Sequence, residues 1–329
     1  MTPNDSRLLN EYKSKIDVYR KLEEVAAEKI KSVLQENGFF VMDISHRTKL
    51  PESLKGKLER KNGKYKELTD ITDLCGMRIV SYFSDTVDEI SNTLATVFTI
   101  DLDKSIDKRE ALQATQFGYL SLHCICTLPD DGTYDKDIVN IPFEIQIRTV
   151  LQHAWAEIEH NLGYKSEFGV PRPIRREFSR VAGLLEIADR QFVDLRKNSD
   201  TYNAKIREKI ANNDSDSVVL DHVSLQVYMH INSRVLEFRN KLQEELGVET
   251  EDIDLVKILN RLEALEIDTV GDLGRAFDKY FDDLFARIKT QILEFELDII
   301  STGMIIRNLC DYIMKDKAMD MTAKKNENA

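Results

Sequence analysis

The feature that most constrains this chain is a two-residue alternation of apolar and polar side chains, confined to its middle third. Residues 143–148 read Phe-Glu-Ile-Gln-Ile-Arg. In an extended chain this places Phe143, Ile145 and Ile147 on one side and Glu144, Gln146 and Arg148 on the other. Residues 119–128 repeat the arrangement, with Leu120 and Leu122 opposed to Tyr119, Ser121 and His123. Residues 77–83 (Met-Arg-Ile-Val-Ser-Tyr-Phe) read as a third strand, and a short apolar piece covers 39–44. Helical spacing surrounds these runs. Leu9, Tyr12, Ile16, Tyr19, Ala26, Ile30 and Val33 predict a helix over 5–37 that stops at Gly38. Further helices are predicted over 86–98, 149–162 and 175–197, the last following the break at Pro171 and Pro173. Beyond residue 200 the pattern is helical, with no alternation of any length.

Charge narrows the function classes. The net charge of -12 argues against a protein that coats DNA or RNA, which would be basic. A phosphate-binding role therefore needs a local basic patch. Residues 45–66 supply one: Arg47, Lys49, Lys55, Lys57, Arg60, Lys61, Lys64 and Lys66 face only Glu52 and Glu59. No window has the roughly 18–20 continuous apolar residues of a membrane span, and the first residues lack the apolar stretch of a signal peptide. A cytoplasmic protein without a membrane or DNA partner is expected. Cys75, Cys124, Cys126 and Cys310 lack metal or redox spacing and read as free thiols.

Three segments carry candidate chemistry. Asp73 precedes one strand and Arg78 lies just inside it, while Glu144 sits on another. Carboxylates are hard ligands suited to Mg²⁺, so Asp73 and Glu144 are a candidate pair for one ion. Tyr119 beside His123 suits base stacking. Each segment also has an ordinary reading: a solvated strand face, a hydrogen-bonded core histidine, a turn capped by Asp73.

Their combination and order is more specific. Arg47-Thr48-Lys49, Ser53, Lys57, the Asp73–Gly76–Arg78 segment, Gly118-Tyr119-Leu120-Ser121-Leu122-His123, Phe143-Glu144-Ile145-Gln146-Ile147-Arg148-Thr149 and Trp155-Ala156-Glu157-Ile158-Glu159-His160 with Tyr164-Lys165 together resemble the synthetase domain of the RelA/SpoT-homologue family. The resemblance runs from about residue 40 to 170 and on to about 197. It implies an α/β (α+β) fold: a nucleotidyltransferase-like mixed sheet of about five strands flanked by helices, with a C-terminal all-helical extension. The expected division is an N-terminal helix over 1–38, a synthetase domain over 39–198 and a helical extension over 199–329. No His-Asp pair occurs, so the family's hydrolase domain is not expected.

The resemblance also implies roles. Arg47 and Arg78 would sandwich the adenine of ATP, and Lys49, Ser53, Lys57 and Arg60 would bind its triphosphate. Asp73 would hold Mg²⁺, and Glu144 would help hold it and act as general base. Tyr119 would stack on the acceptor base with His123 and Gln146 nearby, and His153 would stand where an acceptor edge is read. The implied activity is transfer of the β,γ-pyrophosphate of ATP to the 3′-hydroxyl of GDP or GTP, giving guanosine alarmones.

Two departures leave alternatives open. The segment before Gly118 reads Leu-Gln-Ala-Thr-Gln-Phe, where guanosine enzymes of the family usually carry a basic stretch. His153 replaces the usual Asn or Asp, and an imidazole cannot accept from both guanine N1 and N2 as a carboxylate does. Relatives that act on adenine nucleotides or on the tRNA 3′ end show similar departures; Arg172, Arg175, Arg176 and Arg180 offer a basic approach for tRNA. A non-catalytic nucleotide sensor is the third reading. The helical regions also suit a homo-oligomer.

Overall fold

The computed structural model describes residues 1–107, 121–163, 172–212, 214–251 and 256–327. The chain divides into two units, Met1–Leu195 and Arg196–Ala329. No helix among the described residues is long and apolar enough to cross a membrane.

The first unit opens with α1 (Pro3–Ser14) and α2 (Ile16–Glu36), where the apolar spacing predicts one helix. Thr2 and Asp5 form a reciprocal cap that starts α1. Lys15 leaves the helical conformation (φ -107°, ψ 7°), yet the apolar spacing runs on through it. Tyr12 and Tyr19 meet edge-on across this break, with ring centroids 5.1 Å apart. Gly38, at φ +69°, ends α2 in the left-handed region that favours glycine.

β1 (Val41–Thr48), α3 (Pro51–Lys61), β2 (Cys75–Ser81), α4 (Ser84–Leu94), β3 (Thr99–Asp107), β4 (Leu122–Thr127), β5 (Phe143–Thr149) and α5 (Val150–Gly163) follow in chain order. The strands form the expected mixed sheet, five-stranded in the order β1-β2-β5-β4-β3. Within this sheet, among the described residues, only β2 and β5 run parallel. The sequence showed no strand over β3. It is a largely exposed edge strand carrying Asp101, Asp103 and Asp107, residues with low strand propensity, and its pairing to β4 shifts register.

One face of the sheet is the core. Met77, Ile79, Phe143, Ile145 and Ile147 are buried with Leu22, Ala26 and Ile30 of α2 and Val87, Ile90 and Leu94 of α4. Each buried aliphatic side chain contributes roughly 1.5–3 kcal/mol, and a charge placed at Ile145 would break this layer. The opposite face is thereby left to polar side chains.

α6 (Arg172–Ala211) spans the division between the units and is longer than the predicted helix over 175–197. The second unit continues with α7 (His222–Ile231), α8 (Ser233–Leu246), β6 (Glu249–Glu251), α9 (Val256–Glu263), α10 (Val270–Lys279), α11 (Phe281–Phe295), β7 (Ile299–Ser301) and α12 (Thr302–Glu327). Its core centres on Phe238, whose ring meets those of Phe277, Phe281 and Phe285 edge-on at 5.5, 5.3 and 5.5 Å. β6 and β7 pair in parallel over three residues each, too few for alternation to register in the sequence.

Candidate active site

Strand register builds the site. Arg47 lies opposite Gly76, and Gly76 opposite Glu144. In the next row Ser45 faces Arg78, Arg78 faces Gln146, and Gln146 faces His123. Paired residues share a face, so four strands present one polar surface away from the core. A cavity of about 310 Å³ opens on it, lined by Arg47, Asp73, Gly76, Arg78, Glu144 and Gln146 among others. Its size falls at the low end of ligand clefts. A Cβ added to Gly76 would meet nothing within 4 Å, so the floor between Arg47 and Glu144 is bare.

Asp73 stands at one side of the cavity. Lys49 Nζ donates to its Oδ2 at 2.8 Å and Lys57 Nζ to its Oδ1 at 2.7 Å. Burial alone would raise the Asp73 carboxyl, but the two lysines outweigh it and hold the group below the ordinary carboxylate range. Both lysines are themselves mostly buried, with side chains 14% and 21% exposed, so these pairs are shielded from bulk water.

Glu144 is held differently. His123 Nδ1 lies 2.6 Å from its Oε1, and Gln146 Nε2 donates to its Oε2 at 2.9 Å. Ser121 Oγ lies 2.8 Å from the other imidazole nitrogen, Nε2. Burial pushes the Glu144 carboxyl up, His123 and Gln146 pull it down further, and the nearby charge of Asp73 pushes back; the result lies below the ordinary range. Glu144 is thus ionised at neutral pH and able to accept a proton.

A third group gathers around Arg78. Its Nη1 lies 3.7 Å from Glu157 Oε1, and His153 Nδ1 lies 3.8 Å from the same oxygen. Arg148 is 5% exposed, and burial and the Arg78 charge push its guanidinium down to about 10. Burial, then Arg148 and Arg78, lower the His153 imidazole, which favours its neutral form. His153 therefore stands with Arg78, Arg148 and Glu157. Alternation had placed Arg148 on the polar face but suggested no role for it. Glu157 belongs to the 155–160 motif but was given no role, although it lies one helical turn from His153, a spacing that puts both on one side of α5.

Other expected residues fall elsewhere. Ser53 and Arg60 line a separate shallow hollow on α3 with Gly56 and Glu59. Tyr119 lies outside the described residues, as do Tyr164 and Lys165. Trp155 is buried against Phe178, with centroids 5.3 Å apart, and belongs to packing. Thr149 Oγ1 donates to the buried Asp189 at 2.7 Å and ties the start of α5 to α6; burial pushes Asp189 up to about 7.

The carboxylates suit a hard divalent ion. Asp73 and Glu144 line one cavity, and each oxygen set has the chemistry Mg²⁺ prefers. No group of three or more His, Cys, Asp or Glu side chains placed for a metal occurs among the described residues. Mg²⁺ commonly takes one or two carboxylates and completes its shell with water and substrate phosphate, so two fit.

Known proteins resemble the segment that carries these residues. The family model of the region found in RelA / SpoT proteins matches residues 46–168. GTP pyrophosphokinase YwaC of Bacillus subtilis is 27% identical over 201 residues, covering 59% of this chain and 94% of the relative. GTP pyrophosphokinase YjbM of the same organism is 27% identical over 156 residues, covering 46% of this chain and 71% of the relative. The crystal structure of small alarmone synthetase 2 from Bacillus subtilis aligns with a TM-score of 0.49 at 27% identity, over 57% of this chain and 99% of that one. The matched segment, residues 46–168, contains Arg47, Lys49, Lys57, Asp73, Arg78, His123, Glu144 and Gln146.

Proposed function

We propose that this chain is a GTP pyrophosphokinase that transfers the β,γ-pyrophosphate of ATP to the 3′-hydroxyl of GDP or GTP. The observation that carries the reading is the joining of two carboxylates in one bare-floored cavity, one paired to two lysines and one to an imidazole and an amide. The RelA/SpoT region and the two pyrophosphokinase relatives support it.

In this reading Arg47 and Arg78 hold the adenine between guanidinium planes, which stack on bases and stay charged. Lys49 and Lys57 turn from Asp73 to the phosphates, with Ser53 and Arg60 extending the contact. Asp73 and Glu144 would hold Mg²⁺, which when bound would neutralise charge on the group in transit. Glu144 takes the proton as the 3′-oxygen bonds to the β-phosphorus; the bond to the α-phosphate bridge breaks and AMP leaves. His123 and Gln146 hold the Glu144 carboxylate in place for that step. Such transfers depend mainly on positioning and charge stabilisation, and Tyr119 and His153 complete the acceptor side.

Incubating purified protein with labelled ATP and, separately, GDP, GTP, AMP, ADP, ATP or tRNA tests the proposal. Label appearing on the 3′ position of GDP or GTP is expected. Transfer only to adenine nucleotides or to tRNA would replace guanine as the acceptor, and hydrolysis without transfer to any of them would overturn the reading.

A further inference from the structure

The donor-binding run Arg47-Thr48-Lys49 lies at the end of an edge strand. Among the described residues β1 is hydrogen-bonded to β2 alone, and its ladder shifts register between Val41 and Asp43. A strand held on one side is free to twist about its own axis, and a twist there would swing Arg47 out of line. The restraint comes from the other layer. His46 and Thr48, the two residues that flank Arg47, point to the helix side, and a single carboxylate meets both. Glu23 Oε1 of α2 lies 2.8 Å from His46 Nδ1, and Thr48 Oγ1 donates to Glu23 Oε2. The Glu23 side chain is 16% exposed and the Thr48 bond is part-buried, while the His46 side chain is 32% exposed. The next residue is anchored too: the Tyr12 hydroxyl of α1 donates to the Lys49 carbonyl, and the Lys49 N–H donates to the Leu74 carbonyl at 2.8 Å.

We propose that Glu23 is a positioning residue for the nucleotide donor, a clasp on both neighbours of Arg47 that aims its guanidinium into the cavity. The N-terminal helices α1 and α2 then serve the donor site as well as the core. This rests on the reading of Arg47 as an ATP-binding residue. Small displacements of a binding group are costly because stacking and phosphate contacts are short-ranged.

The test uses the full chain and measures the affinity of a non-hydrolysable ATP analogue and of GDP by calorimetry, with thermal stability alongside. Glu23→Ala should weaken the ATP analogue by about tenfold and leave GDP affinity unchanged. Glu23→Gln keeps one acceptor oxygen for Thr48 and an amide for His46 and should restore most of the loss. Thr48→Val removes one of the two tethers and should give an intermediate loss; it carries the test should Glu23→Ala fail to fold. Arg47→Ala is the reference. If Arg47→Ala weakens the ATP analogue while Glu23→Ala and Thr48→Val do not, the clasp is wrong and the donor reading stands. If Arg47→Ala itself leaves ATP affinity unchanged, both fall together. Equal losses of ATP and GDP affinity in Glu23→Ala, tracking a drop in stability and not restored by Glu23→Gln, would reduce Glu23 to a structural role.

Discussion

Asp73 is held by two ammonium groups, Lys49 and Lys57, whereas Glu144 in the same cavity is held by the imidazole of His123 and the amide of Gln146. Burial would raise both carboxyls, and in both the partners win. The difference lies in what a nucleotide does to each setting. In the proposed function a triphosphate competes directly for the lysines, so the surroundings of Asp73 rearrange when donor binds. It has no comparable claim on His123 and Gln146, so that reading keeps the hydrogen bonds of Glu144 before and after binding. On it, one carboxylate is conditional on the donor and the other is preorganised.

The largest expected effect falls on the preorganised side. Glu144→Gln keeps the shape but removes charge and basicity, and transfer should fall by about a thousandfold or more, roughly 4 kcal/mol. Initial rates with labelled ATP check this, and a variant keeping most of its activity would send the proton elsewhere.

On the conditional side, Lys57→Met should weaken donor binding as well as transfer, by about a hundredfold in combined efficiency. A drop in turnover with donor affinity intact would erase the distinction between the two carboxylates.

His153 belongs to neither hydrogen-bonded group, and it sharpens the comparison by selectivity. Reading a guanine edge through one neutral hydrogen bond gives a preference on the order of 1 kcal/mol. His153→Asp should therefore raise the preference for GDP over ADP by about tenfold. Transfer to the two acceptors, measured side by side, decides it. A change in ATP affinity instead would assign His153 to the donor side with its neighbour Arg78.

An effect of similar size is a reversal in the pH dependence of stability. The lysines hold Asp73 below its ordinary value of 3.8, so this pairing stabilises the fold above pH 3.8 and is lost as pH falls through the lower folded value. With Lys49 and Lys57 both changed to Met, burial acts alone and raises Asp73. Stability should then decline as pH rises from 3.8 upward, by roughly 1–2 kcal/mol for a partly exposed group. Melting temperatures between pH 4 and 8 test the sign; parallel profiles in the variant and the parent would show that the lysines do not control Asp73.

Much of this site was legible in the chain. Alternation alone put Glu144, Gln146 and Arg148 on one face, because successive side chains of any strand point to opposite sides whatever the strand packs against. The basic run over 45–66 and the order of motifs marked a RelA/SpoT region. Glu23 was not legible, since it sits in an ordinary helical spacing and becomes distinctive only when β1 lies across α2. The break at Lys15 was hidden for a related reason: no Gly or Pro marks it, and the apolar spacing is uninterrupted.

What the sequence determined by itself is local: the direction of each side chain along a strand, the helical faces, and the bare position at Gly76. What the tertiary structure decided is which of these meet. Lys49 and Lys57 reach Asp73 across 24 and 16 residues of chain. His123 reaches Glu144 because β4 and β5 pair antiparallel in a register that sets His123 opposite Gln146. Strand order and register are chosen by burial of the whole apolar face, and a shift of one residue would turn every polar side chain on that strand into the core. No short stretch of the chain contains that information, because the energy that selects the register is summed over all five strands and the helices beneath them.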